Sequence, residues 1–375
     1  MNKENILSKI SKMSEEELID LACNTSDVEI LKILTENENY EVRTAVAGNK
    51  NTPIEKLTVL ASDETWCVRC AVARNENTPI ELLIVLAQDK HCWVRGAIAE
   101  NENTSADVLA MLAKDKDCYV RKAVARNKNT PIELLAILAQ DTDWRVCIDV
   151  AENKNTSIET LAMLAKDEDD DVRLAVANNR NTSADVLAIL AKDEDNEVRS
   201  AVAENKNTPV EVLATFAKDK HECVRRGVAY NENTPDELLS VLAQDEDGRV
   251  RSAVAGNINT PIELLSVLAQ DKHWLVRQTV AKNENTPKET LAVLADDCDL
   301  GVRQNVAGNK NMPKEALVKL AGDRDYGVRK AVVNNPNTSY NTLLMLSKVK
   351  AVEIREKAKE VLKERALKAN TNKER

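Results

Sequence analysis

Apolar positions along the chain follow a pattern that returns every 26 residues. Each return has two parts. In the first, Leu stands five residues after a Thr column in all thirteen copies and eight residues after it in twelve, with Phe216 the one replacement, as in Leu57 and Leu60 after Thr52. That spacing is the buried stripe of an amphipathic helix. In the second part, Val and Ala recur at helical spacing around an arginine, as in Val120, Ala123 and Val124 around Arg121. This predicts a second, shorter helix of about two turns, α or partly 3₁₀.

The polar positions supply starts and stops. Thr holds its column in eleven copies, Ser26 and Met312 being the exceptions, and eight of the nine prolines follow it directly. Glu or Asp stands three residues after the Thr in twelve copies. Thr as N-cap, Pro in the first turn and Glu closing a capping box would start the first helix. An Asp four residues before the arginine, such as Asp117, is the expected N-cap of the second. The pair Asn-x-Asn, such as Asn127 and Asn129, ends the copy with residues that accept left-handed backbone and bond locally.

Neither helix can bury its stripe alone, so stacking of copy on copy must form the core, as in a solenoid of helix pairs. Residues 1–22 are read as an N-terminal helical cap, in which Ile6, Leu7 and Ile10 form a stripe and Ser14 with Glu17 a capping box. Residues 23–346 are read as the tandem array. Residues 347–375 are a C-terminal helical cap with a basic tail, in which Ile354, Ala358, Val361, Leu362 and Leu367 share a face.

Composition narrows the rest. Ten aromatic residues in 375 exclude a core built on large rings, and no apolar run approaches a membrane span. The first residues lead into no export signal, so the chain is read as cytoplasmic and its eight cysteines as free thiols. The net charge is -10. The last 28 residues hold ten basic and five acidic groups, a balance of +5, which leaves -15 for the remainder. Such a body argues against nucleic acid and anionic membranes as partners.

The run Leu-x-x-Leu-Ala-x-Asp-x-Asp-x-x-Val-Arg-x-Ala-Val-Ala-x-Asn-x-Asn-Thr-Pro resembles the leucine-rich repeat variant family over residues 23 to about 346, and an Asp followed six residues later by Arg is similar to HEAT repeats. The resemblance implies an all-α, right-handed α-solenoid of thirteen two-helix repeats, its second helices lining a concave face. Some family members carry an iron-sulphur cluster on a Cys-rich N-terminal domain, but residues 1–22 contain no cysteine. No cofactor is carried over.

The arginine recurs at 43, 69, 95, 121, 173, 199, 225, 251, 277, 303, 329 and 355, and only Cys147 interrupts it. Asp63 with Arg69, Asp89 with Arg95 and their equivalents form two parallel rows of opposite charge, read as a structural ladder of bidentate pairs linking successive repeats, because a ligand site has no use for so many copies. In the fifth repeat Arg145 and Asp149 stand four apart and are expected to pair.

In so regular an array the informative columns are those that vary. Two columns, three and two residues before the arginine, hold all four tryptophans and three tyrosines: Tyr40, Trp66, Trp93, Tyr119, Trp144, Trp274 and Tyr326. Trp66, Cys70 and Arg74 fall on one helical face. Exposed Trp, Tyr and Arg are the side chains enriched in binding hot spots, whereas the alternative use of such rings is to fill gaps between repeats. The expected function is a non-enzymatic scaffold that binds a protein or peptide through Trp66, Trp93, Tyr119, Trp144, Trp274, Tyr326, Cys70 and Arg74. Acidic positions in the next repeats, including Asp170, Asp171 and Glu197, suit a basic peptide.

Other chemistry is thinly represented. Cys67, Cys70, Cys92 and Cys118 offer a metal or redox alternative, but only one C-x-x-C is present, and equivalent columns in neighbouring repeats lie roughly 8–10 Å apart. His91, His221 and His273 share a column and form no dyad. The Asp167, Asp169, Asp171 run lacks the Gly and final Glu of a calcium loop. HEAT-like nucleic-acid binding is the remaining alternative, and no nucleophile–base pair or phosphate loop is present.

Overall fold

The computed structural model describes residues 7–371 apart from Lys9, so Ile6 and the last four residues lie outside the described part. The described residues form 27 helices and no strand. They divide into two compact halves, Met1–Val186 and Leu187–Arg375, each a stack of helix pairs. In the second repeat the pair is Ile54–Leu60 and Trp66–Arg74; in the third it is Ile80–Leu86 and Cys92–Glu100.

The Leu and Val columns form the core, with Leu57, Leu83, Leu109, Val68, Val94 and Val120 at 0–1% exposure. Within each half, successive second helices pack directly on one another, whereas successive first helices touch less, so the second-helix side is the tighter side. The second helix proves to be α-helical and nine residues long, two longer than the first. Continuous burial against both neighbouring second helices offsets the poor intrinsic stability of so short a helix. The outward face of the first helices remains apolar, with Val59, Val85, Met111 and Ile137 exposed.

At the N-terminal end, Ser14 caps Glu15–Asn24 in a full capping box with Glu17. This helix packs on Tyr40–Gly48 as one second helix packs on the next. At the other end the 20-residue helix Val352–Thr371 takes the place of the thirteenth second helix, with Ile354 and Ala358 buried. Its Arg365 donates to the carbonyls of Thr338 at 2.5 Å, Asn335 at 3.2 Å and Pro336 at 3.1 Å.

Two expected start and stop devices work differently. Thr is not the N-cap of the first helix. Pro53, with φ -61° and ψ 146°, holds the cap position without a side-chain bond, and Thr52 is buried, its Oγ1 donating to the carbonyl of Val46 at 2.5 Å. The extended proline moves the helix start one residue on and turns the hydroxyl back to the preceding helix. Among the described residues none, glycine included, has a positive φ, so the asparagines do not use left-handed backbone. Asn75 instead reaches back one repeat: Nδ2 donates to the carbonyls of Ala47 at 2.8 Å and Asn49 at 3.0 Å, while Oδ1 accepts the amide of Asn77 at 2.9 Å. Asn77 donates to the Lys50 carbonyl at 2.6 Å. Each repeat thus supplies donors to the carbonyls at the end of the preceding second helix, the Asn49 carbonyl also accepting the Thr52 amide at 3.0 Å.

Candidate functional site

The arginine column forms a ladder, and its pairs join neighbours. Arg69 binds Asp89 of the next repeat, Nε to Oδ2 at 2.5 Å and Nη2 to Oδ1 at 2.9 Å. Its Nη1 donates to the carbonyls of Asp63 and Glu64 in its own repeat, at 2.7 and 3.0 Å. The same carboxylate-bridging construction recurs from Arg43, Arg95, Arg121, Arg199, Arg225, Arg251, Arg277 and Arg303. Burial alone would raise the carboxyls of Asp63, Asp89, Asp115, Asp219, Asp271 and Asp297, but the guanidinium and the amide two residues on outweigh it and hold them below the ordinary 3.8. Asp323 is lowered chiefly by Arg303.

A carboxyl depressed in the folded chain contributes stability above its unfolded value and loses it as pH falls through the folded value. Thermal midpoints followed by circular dichroism are therefore expected to stay level from neutrality to about pH 5 and to fall steeply below about pH 4, as the row is protonated together. A midpoint unchanged down to about pH 3 contradicts this.

On the second-helix face of repeats two to four, the varying columns come together. Trp66 stacks on His91, with centroids 4.4 Å apart and rings 2° from parallel, and His91 Nδ1 is buried without a hydrogen-bond partner. Trp93 meets Tyr119 at 4.2 Å and 53°. Tyr119 lies over Gly96, where any Cβ would collide with its ring, which is why that column is glycine here. Glu100 accepts from Arg74 at 3.2 Å and Tyr119 Oη at 3.3 Å, joining three repeats. Beside them an open hollow of about 410 Å³ is lined by Trp66, Cys67, Cys70, Ala71, Arg74, Thr44, Gly48 and Asn75.

The indoles are neither buried nor fully exposed: Trp66 is 37% exposed, Trp93 44%, Trp144 44% and Trp274 48%. Arg145 lies 6.0 Å from the Trp144 ring centroid, His273 5.9 Å from Trp274, and Lys330 5.8 Å from Tyr326, which is 37% exposed. Cys70 is part of the wall, 5% exposed with Sγ toward the carbonyl of Trp93 at 3.6 Å, and burial pushes its thiol up despite Arg74. All eight cysteines are free. Among the described residues no three His, Cys, Asp or Glu side chains gather as metal ligands. Asp170, Asp171 and Glu197 are exposed.

The fifth repeat departs from its expected pairing. Arg145 binds Asp143 at 2.7 and 2.9 Å, not Asp149. Asp149, 2% exposed, points back at the fourth repeat, where it accepts from Arg126 at 2.8 Å and lies 4.0 Å from Lys122. A position packed against the preceding helix cannot turn to a neighbour in the exposed first turn. Its Oδ2 has no hydrogen-bond partner, and burial raises the carboxyl.

The leucine rich repeat variant family model matches residues 120–143, from the core Val120 through the first helix of the fifth repeat to Asp143. The repeat at these residues is similar to the leucine-rich repeat variant. Its columns recur through the other copies, which makes the chain a helical-repeat scaffold. A solved leucine-rich repeat variant, described as a novel repetitive structural motif, is similar at 27% identity over 60% of this chain and 88% of that one, with a TM-score of 0.46. A structure of Kap95p with RanGDP is similar at 12% identity over 96% of this chain and 66% of that one, with a TM-score of 0.45. Kap121p bound to Nup53p is similar at 12% identity over 94% of this chain and 50% of that one, with a TM-score of 0.40, so this chain spans half of that protein. No curated protein matches. No helix of the described residues is long and apolar enough to cross a membrane.

Proposed function

We propose that this variant-repeat scaffold is a non-enzymatic binder of a protein or peptide, engaged through the second-helix face of repeats two to five. Trp66, Trp93, Tyr119 and Trp144 are the anchors there, with Trp274 and Tyr326 as a separate patch in the second half. The observation that carries this is the state of the indoles: each leaves more than a third of its surface to solvent, although the surrounding Leu and Val columns are sealed. Trp66, stacked on His91, and Trp93, tilted against Tyr119, lose little freedom when a partner covers them, and that preorganisation is what makes an aromatic patch an efficient anchor. Cys70 supplies the apolar floor of the hollow and Arg74 its charged end. The acidic first turns at Asp170, Asp171 and Glu197 favour a partner with basic side chains.

The test is the double substitution Trp66→Ala with Trp93→Ala. Helical circular dichroism is expected to be unchanged and the melting temperature to move by less than about 3 °C, because neither ring closes the core, while capture of the native partner is lost. Capture at the wild-type level refutes the assignment.

A further inference from the structure

Along the ladder a guanidinium binds the carboxylate of the next repeat and the carbonyl six residues before the arginine, and in most repeats, though not at Arg95, Arg121 or Arg277, also the carbonyl five before. Arg69, with Asp89, the Asp63 carbonyl and the Glu64 carbonyl, is typical. At the junction of repeats five and six the register places the same oxygens, those of Asp167, Asp141 and Thr142, but residue 147 is Cys. Its thiol makes no bond to the Asp167 carboxylate and donates instead to the Asp141 carbonyl at 3.5 Å, a weak bond that leaves that oxygen a second lone pair. Asp167 accepts the Asp169 amide at 3.0 Å and forms no ion pair with any described Lys or Arg. Cys147 itself is 2% exposed, while Asp167 is partly exposed and Thr142 exposed, so the oxygens can be reached from the solvent side. Trp144 stands three residues ahead on the same helix, half-exposed, and Asp170 and Asp171 are exposed nearby.

We infer that this junction is a binding site for the guanidinium of an arginine on a partner peptide, held bidentately by the Asp167 carboxylate and through its third nitrogen by the Asp141 and Thr142 carbonyls. The chain itself demonstrates the preference, since the homologous oxygens at the other joints hold guanidinium and never lysine. A planar fork satisfies a carboxylate and two carbonyls at once; an ammonium, a point donor, does not. The inference deepens the partner-binding reading by giving the partner's chemistry. Its probe is a small molecule, so it stands or falls apart from capture by Trp66 and Trp93.

The experiment is a nuclear magnetic resonance titration of the full chain with methylguanidinium, and separately with methylammonium, at millimolar concentrations below denaturing levels. Methylguanidinium is expected to shift the amides of Thr142, Asp167 and Asp169 in a saturable way, and methylammonium to bind at least about tenfold more weakly. Cys147→Ala should respond like wild type. Cys147→Arg should complete the ladder, raise the melting temperature by several degrees and abolish the response. Asp167→Asn should weaken binding at least about tenfold, with Cys147→Arg as the folded control. Equal response to the two probes, no saturable shift at these amides, or binding retained by Cys147→Arg overturns the assignment.

Discussion

Replacing Arg251 with Met is expected to lower the unfolding free energy of its joint by about 3–5 kcal/mol, the cost typical of removing one partner from a buried pair. Arg251 donates to Asp271 at 2.6 and 2.9 Å and to the carbonyls of Asp245 and Glu246 at 2.6 and 3.1 Å. Side-chain exposure is 7% for the arginine and 9% for the aspartate. Met fills the aliphatic volume, so the loss is the carboxylate left without a counter-charge and two carbonyls left without donors. Lys128→Ala is the control: its pair with Glu102 is 66% and 65% exposed, and its removal should cost less than about 1 kcal/mol. Chemical denaturation, with hydrogen exchange at the Asp245–Asp271 joint to localise the opening, measures both. A loss at Arg251 no larger than that at Lys128 would show the ladder to be ornamental.

Asn231→Ala should cost about 3 kcal/mol, and Asn231→Asp more at neutral pH. The side chain is 3% exposed. Its Nδ2 donates to the carbonyls of Ala203 at 2.8 Å and Asn205 at 2.9 Å, and its Oδ1 accepts from the Asn233 amide at 2.9 Å. Alanine removes the donor to the buried Ala203 carbonyl, leaves the Asn205 carbonyl with the Thr208 amide alone at 3.0 Å, and frees the Asn233 amide. Aspartate keeps the acceptor toward Asn233 but sets a charged oxygen against two carbonyls, so the ordering of the two variants distinguishes a donor role from simple packing. Equal melting temperatures for alanine, aspartate and wild type would contradict the hydrogen-bond account.

The elements were legible because periodicity is local: Leu57 and Leu60 belong to one helix whatever the fold. The ladder's composition was legible too, but its register was not. Arg69 and Asp63 stand six apart in sequence, yet Arg69 spends its fork on Asp89, because stacking sets which copy's carboxylate comes within reach. Similarly, Asn75 looks like a local turn residue until the preceding helix end is placed beside it, and Thr52 looks like a cap until Pro53 displaces it. The Trp and Tyr columns could be singled out by their variation; their half-exposure, the collision that requires Gly96, and the bridging role of Glu100 depend on contacts between repeats that no single copy contains. Asp149 was misread for the same reason, since its partner Arg126 belongs to the previous copy.

The asparagine and arginine bonds share one geometric property: each spans a single joint. Arg69 reaches 20 residues ahead and Asn75 26 and 28 behind, and neither skips a neighbour. Stiffness along each half is therefore assembled from near-identical springs in series. A bending load on either half is shared as small deflections over many of them, so no one joint has to break.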